Sequence, residues 1–372
     1  MSGLWTAPGA VQRLGMIGAL IIALLSGAVP VVGIMPLAAL LGAALFSTLV
    51  VTDPARAPAW QAALALGLVA LNLGAAALSI LPLATDALPY WAVVAAIWLG
   101  AWMLVAQIAA LTPARRAAAQ VQALAAPIVF GATLLWLWEA VVRGAEVPRV
   151  ILPAPSAIAE RFAGSLDVLW VDFVQTFVKG ALSGFAIGIG AALVFALIVD
   201  RYDFLRRGLM PVGNFLAALP IIGTAPIMVM WFGFDWPSKA AVVVAMVFFP
   251  MLVNTVQGLQ ATDSMQRDLM RTYSATWTQA LIRLRLPAAM PFIFNGLKIA
   301  STLALIGAIV AEFFGSPTRG MGFRISTEVG RLQLDMVWAE IAVAALAGSL
   351  FYGFWAALEK RVTFWHPSQR AR

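Results

Sequence analysis

Long uncharged runs recur from one end of the chain to the other, separated by short stretches where Arg, Asp, Pro and Gly gather. Within each run the apolar residues cover every side of a helix instead of one stripe. About 20 apolar residues cross a ~30 Å hydrocarbon core at 1.5 Å per residue, so each run predicts a transmembrane helix. Spans are expected at 58–82, 89–111, 127–143, 178–199, 209–232, 238–260, 291–315 and 335–358. The run from Leu14 to Val51 carries Pro30 and Pro36 and is too long for one ordinary span, so it reads as two tightly joined spans, with a single span as the alternative. That makes about ten. A barrel would instead show ~10-residue segments of alternating polarity. No small-residue cleavage site follows the first apolar run, which reads as a retained span.

Composition agrees with an all-α polytopic membrane protein. The chain has 372 residues, is 62% hydrophobic and 11% charged, and has a mean hydropathy of +0.91. It has no cysteine, which excludes disulfides and thiolate metal sites, and its sole histidine, His366, lies in a polar tail. No metal or cofactor is expected. The net charge of +7 is carried by short loops and reads as a topology signal. With both termini in the cytoplasm, that side holds most of the Lys and Arg, including Arg201, Arg206, Arg207, Arg267, Arg271, Arg283, Arg285, Lys360 and Arg361. The other side holds fewer, among them Arg143, Arg161, Lys179, Lys239, Arg319, Arg324 and Arg331.

The chain divides in character. Residues 1–126, with about four spans, are almost purely apolar and suit packing or anchoring; polar residues enter the spans of 127–362, and 363–372 form a polar tail. In the expected external loop before the span at 178–199, Ile158, Phe162, Leu166, Leu169 and Phe173 recur at helical spacing. They predict a helix in the membrane interface, or equally a small helix packed on the mouth of the bundle.

Several residues are candidates for mechanism. Gly180, Gly184 and Gly188 form a small-residue ladder that admits another helix backbone. Pro220, Gly223 and Pro226, then Pro250, Asn254 and Thr255, place helix breakers and polar groups inside neighbouring spans, which suits a translocation path or a packing kink. Glu312 and Glu340 are intramembrane carboxylates, functional candidates by default; the alternative is a structural pair with Arg324 or Arg331. Between Ala261 and Met290 lies a segment too polar to cross and too patterned for a slack loop. Leu269, Tyr273, Trp277 and Leu281 recur at intervals of four and predict one apolar helical stripe. Arg283 and Arg285 flank Leu284, Pro287 ends the segment, and Pro291 opens the next span. Such a helix suits a soluble partner or an anionic lipid surface.

Asp268, Arg271, Thr272, Ser274 and Ala275, followed by Leu286-Pro287, resemble the EAA loop of permease subunits of binding-protein-dependent ABC importers. Asp268 stands where that pattern has glutamate, and Ser274 where it has glycine. The runs LPAPS from Leu152, LPIIGTAPIMVMWFG from Leu219, FFPMLVNT from Phe248, PFIFNGLKIA from Pro291 and VAEFFG from Val310 occur in the order seen in the nitrate, sulfonate and taurine branch. The resemblance covers roughly residues 127–362. It implies a six-helix type I permease core behind four extra N-terminal spans, working in the bacterial inner membrane as a homodimer. It further implies a cytoplasmic ATPase seated on the coupling loop, a solute-binding protein outside, and a small organic anion or a pyrimidine vitamin precursor as solute. ATP hydrolysis belongs to the partner, since the chain has no phosphate-cradling GxxxxGK[ST] loop. Because serine resists φ > 0, Ser274 predicts a smoother helix than the family's turn. A carrier driven by an ion gradient through Glu312 or Glu340 is the competing expectation; no dyad, metal cluster or cofactor motif supports an enzyme.

Overall fold

In a computed structural model of the chain, the described residues are 116–217, 221–315 and 319–366, with scattered helical positions between 90 and 109. The expected spans at 14–51 and 58–82 and the candidate Pro220 lie outside them. Everything regular among the described residues is helical: α1 (Arg116–Gly144), α2 (Pro155–Gly164), α3 (Leu166–Phe173), α4 (Ser183–Arg201), α5 (Asp203–Ala217) and α6 (Ile221–Phe232) come first. They are followed by α7 (Trp236–Gln260), α8 (Ser264–Thr272), α9 (Trp277–Ala280), α10 (Leu286–Phe314), α11 (Met321–Gly330) and α12 (Leu334–Val362). Wide π-type turns at Val174–Leu182 and Leu281–Arg285 join α3 to α4 and α9 to α10 without a break. The described residues fall into two compact units, one up to Ile158 and one from Ala159.

Among the described residues, five helical stretches are long and apolar enough to cross a membrane: Gln122–Gly144, Leu166–Arg201, Trp236–Gln260, Trp277–Phe314 and Leu334–Val362. Two begin well before the hydropathy of the chain predicts. The stretch expected at 178–199 starts at Leu166, because Asp172 and Thr176, which break its apolar run, have their polar groups bonded inside the protein. Likewise Pro287 does not end the coupling segment. The helix runs from Trp277 through Pro287 and Pro291, and the widened turn at Leu281–Arg285 accommodates the carbonyl that Pro287, lacking N–H, leaves free. The span expected at 209–232 falls on α5 and α6, either side of residues 218–220, and each helix alone is shorter than a crossing requires.

In the first unit, the Tyr90 hydroxyl donates to the Ala140 carbonyl at 2.5 Å, and its ring lies where a side chain on Gly144 would stand. Ser156, in the LPAPS run, is held to α1: its backbone N–H and its hydroxyl both donate to Glu139, at 2.8 and 2.7 Å.

In the second unit, α4, α7 and α10 pack as a tight core of Ala, Val, Leu and Met, with Phe351 and Trp355 of α12 closing its edge. Glycines set the spacing. A side chain at Gly184 would stand 2.5 Å from Val243 Cβ, at Gly188 2.5 Å from Val247 Cγ2, at Gly258 2.7 Å from Phe292 and at Gly296 2.7 Å from Met251 Sδ. Close approach of this kind replaces the hydrophobic drive that helices lack inside lipid. In place of the one helix predicted between Pro153 and Phe173 stand α2 and α3, and the apolar residues Phe162 and Leu169 pack against α12. Leu169 is buried against Met336 and Ala339 of α12, with Phe162 and Val343 beside it.

Candidate functional site

At one end of the second unit the segment predicted as a partner-binding helix forms two helices and a turn. Asp263 caps α8 by accepting from the Met265 N–H. After Tyr273 the chain reverses at Ser274, whose φ is +53°. The Ser274 N–H donates to the Arg271 carbonyl at 2.8 Å and the Ala275 N–H to the Met270 carbonyl at 3.0 Å. This pair of bonds is the Schellman arrangement, which satisfies the last carbonyls of a helix. Thr276 then starts α9 with a reciprocal capping box: its hydroxyl accepts from the Gln279 N–H, and its own N–H donates to Gln279 Oε1 at 2.9 Å.

The smoother helix expected from serine is therefore overturned. Two hydrogen bonds before the turn and two after it outweigh the steric cost of ~1–2 kcal/mol for a non-glycine residue in the left-handed region. The single apolar stripe is corrected too, because a turn at Ser274 rotates its two halves apart. Leu269 and Tyr273, joined by Met265, lie on the exposed side of α8, Tyr273 at 77%. Trp277 and Leu281 instead pack into the bundle core. Asp268 and Arg271 are both exposed and 3.4 Å apart, and the Thr272 hydroxyl donates to the Asp268 carbonyl. Leu286 packs against the core directly before Pro287.

The intramembrane candidates separate into two places. In α7, Asn254 donates to the Pro250 carbonyl at 2.8 Å and accepts from exposed Asn295 of α10 at 3.1 Å, a polar pair that residue spacing alone did not disclose. Thr255 is buried and donates to the Met251 carbonyl of its own helix, so it faces packing. Pro226 lies partly exposed inside α6.

Glu312 lies at the end of the bundle where α10 closes, fully buried. One of its oxygens accepts from the Thr176 hydroxyl at 2.8 Å and from the Gly322 N–H at 2.9 Å. The Thr176 oxygen accepts in turn from the Met321 N–H, and Asp172 accepts from the Gly320 N–H and from Arg324, at 2.7 and 2.8 Å. Gly320 has φ +123°, and any side chain there would strike the Glu312 carboxylate. Lys239, also buried, donates to the Phe234 and Gly315 carbonyls. The pairing expected with the external arginines is corrected: Arg324 binds Asp172, Arg331 binds Glu328 at 3.2 Å, and Glu340 is buried beside Asp172. Asp172 and Glu312 stitch α3 and α10 to the start of α11 through backbone N–H groups that no side-chain pattern announces.

A helical bundle with glycine-spaced spans, presenting a capped helix-turn-helix at one end, is the architecture of a multi-pass membrane protein. Residues 184–364 match the family described as binding-protein-dependent transport system inner membrane component, and the chain belongs to that family. It is 31% identical over 243 residues to the formylaminopyrimidine transport permease protein of Halalkalibacterium halodurans, covering 65% of this chain and 96% of that one. It is 30% identical over 220 residues to a probable ABC transporter permease protein of Haemophilus influenzae, covering 58% and 88%. To the putative aliphatic sulfonates transport permease protein of Bacillus subtilis it is 28% identical over 246 residues, covering 65% and 87%. The chain is thus a multi-pass membrane permease of the ABC transporter class, and the carrier driven by an ion gradient finds no support.

Proposed function

We propose that the chain is the membrane subunit of an ATP-driven importer in the bacterial inner membrane, with both termini cytoplasmic, and that its 264–280 helix-turn-helix docks a separate ATPase. The observation that carries this reading is the exposed apolar row Met265, Leu269 and Tyr273 on α8, flanked by Arg271, whose side chain is 83% exposed. None of the residues of α8 is buried in the bundle, so its capped and fixed surface is left for a partner. A solute-binding protein supplies solute at the opposite end, and two permease copies face each other across the path. Asn254 and Pro226 belong to that path, with Glu312 holding its outer end; Pro220 is assigned to it by sequence alone. Residues 1–126 are an added membrane module ahead of a 127–362 permease core and the tail at 363–372.

The solute is a small organic anion of the sulfonate, taurine or nitrate type, or a pyrimidine vitamin precursor. Relatives named for formylaminopyrimidine and for aliphatic sulfonates support that range. Docking is tested by copurification of the ATPase with the permease. The unaltered chain retains it, and the double variant Arg271→Ala, Tyr273→Asp loses it; an ATPase that stays bound to the variant refutes the docking surface.

A further inference from the structure

Asp200 and Arg201 close the last turn of α4, and both reach the segment that follows the Ser274 turn. Arg285 donates from Nη1 to Asp200 Oδ2 at 2.7 Å and from Nη2 to Oδ1, a bidentate pair in which Asp200 is 1% exposed and Arg285 17%. Arg285 Nε donates in addition to the Leu259 carbonyl at 3.0 Å. That carbonyl belongs to the last turn of α7, where a helix leaves its final acceptors without an intrahelical N–H. Next to Asp200, the Arg201 guanidinium stands 5.1 Å from the ring centre of Trp277, the first residue of α9. One arginine thus joins three elements, the 281–285 turn, α4 and α7, while the neighbouring cation holds the start of α9.

This placement decides how a force on α8 can enter the bundle. No residue of α8 or α9 is buried, and the first buried residue after them is Leu281. An apolar contact such as that of Leu281 is non-directional and lets neighbours slide. A half-buried guanidinium fork bonded to a buried carboxylate and to a carbonyl fixes both distance and orientation. We propose that the Arg285–Asp200–Leu259 clamp is the joint that passes displacement of the 264–280 helix-turn-helix to α4 and α7, which makes Arg285 and Asp200 positioning residues for energy coupling. The proposal rests on the ATPase-docking reading above.

The chain has no cysteine, so single cysteines can carry a nitroxide without a background. Gln266→Cys, outside the exposed apolar row, reports on α8 and Val194→Cys on the exposed side of α4, each in the permease–ATPase complex, with electron paramagnetic resonance spectra recorded before and after trapping with ATP and orthovanadate. With the clamp intact, both spectra change on trapping. With Asp200→Asn the Gln266 label still responds and the Val194 response falls by about fivefold or more, the scale of a 1 kcal/mol coupling. A Val194 response that survives Asp200→Asn, or that is absent with the clamp intact, overturns the joint; so does loss of the Gln266 response in Asp200→Asn, which would place the pair in the docking surface itself. Should Asp200→Asn not yield a complex, Arg285→Lys, which keeps the charge and loses the fork, is judged by the same outcomes. A Gln266 label silent in the otherwise unaltered complex refutes docking on this helix-turn-helix instead, separately from the clamp.

Discussion

Ser274 sits at φ +53° between a Schellman pair and a capping box, a position where glycine meets no steric resistance. Serine is the smallest hydroxyl residue, and here its strain is held by bonds on both sides. A β-branched side chain would add crowding against the flanking backbone. Ser274→Val is expected to weaken ATPase retention by about tenfold, corresponding to ~1.4 kcal/mol against the turn, whereas Ser274→Gly retains it; titration of the ATPase onto immobilised permease measures both. Equal binding by all three chains would show that the turn does not shape the docking surface. Gly320 is the comparable position at the other end, where the backbone gives its N–H to Asp172 and leaves no room for a side chain beside Glu312. There the reason for glycine is visible only once residues 148 positions apart are brought together.

Among the elements, the pairing of α4 with α7 is set by glycines that bring two backbones close. A Cβ on Gly184 would stand 2.7 Å from the Ala240 carbonyl, which cannot rotate away, while Gly190 on the same helix has nothing within 4 Å. Gly184→Leu is therefore expected to cost ~1–3 kcal/mol by overpacking and to lower the midpoint of thermal unfolding in detergent, with Gly190→Leu near the unaltered value. Matching midpoints for the two variants would remove the close contact as a determinant of the bundle. The ladder of Gly180, Gly184 and Gly188 was legible from spacing alone, because a period of four on a helix marks one face whatever packs against it. Its partner helix was not legible, since any small-residue face accepts any neighbour. The lengths of the helices were misjudged for a related reason. Hydropathy counts Asp172 and Thr176 as interruptions, whereas the bundle bonds their polar groups and lets the helix continue from Leu166 to Arg201.

For the whole molecule, the second unit leaves large apolar side chains exposed on several spans, as lipid contact and subunit contact both require. The proposed path lies between two copies related by a two-fold axis, the commonest symmetry for such assemblies. Native mass spectrometry of the detergent-solubilised permease is expected to find two chains of 39.5 kDa each; a single chain under conditions that preserve the ATPase complex would exclude the shared path.

The sequence by itself determined that this is a helical membrane protein without thiol chemistry and where most of its described spans run. It also marked residues 261–290 as too polar to cross and too patterned for a slack loop, with Asp268 to Pro287 resembling the EAA loop. Those conclusions follow from local quantities: transfer free energy summed over a window, helical period, and the presence or absence of a residue type. Only the tertiary structure decided that Ser274 turns, that Leu269 and Trp277 part company, that Glu312 is bound by Thr176 and Gly322, and that Arg285 reaches Asp200 and Leu259. Each of these depends on which backbone and side-chain groups meet across long stretches of chain. A hydrogen bond or an ion pair carries no periodic signature that would announce its partner in advance.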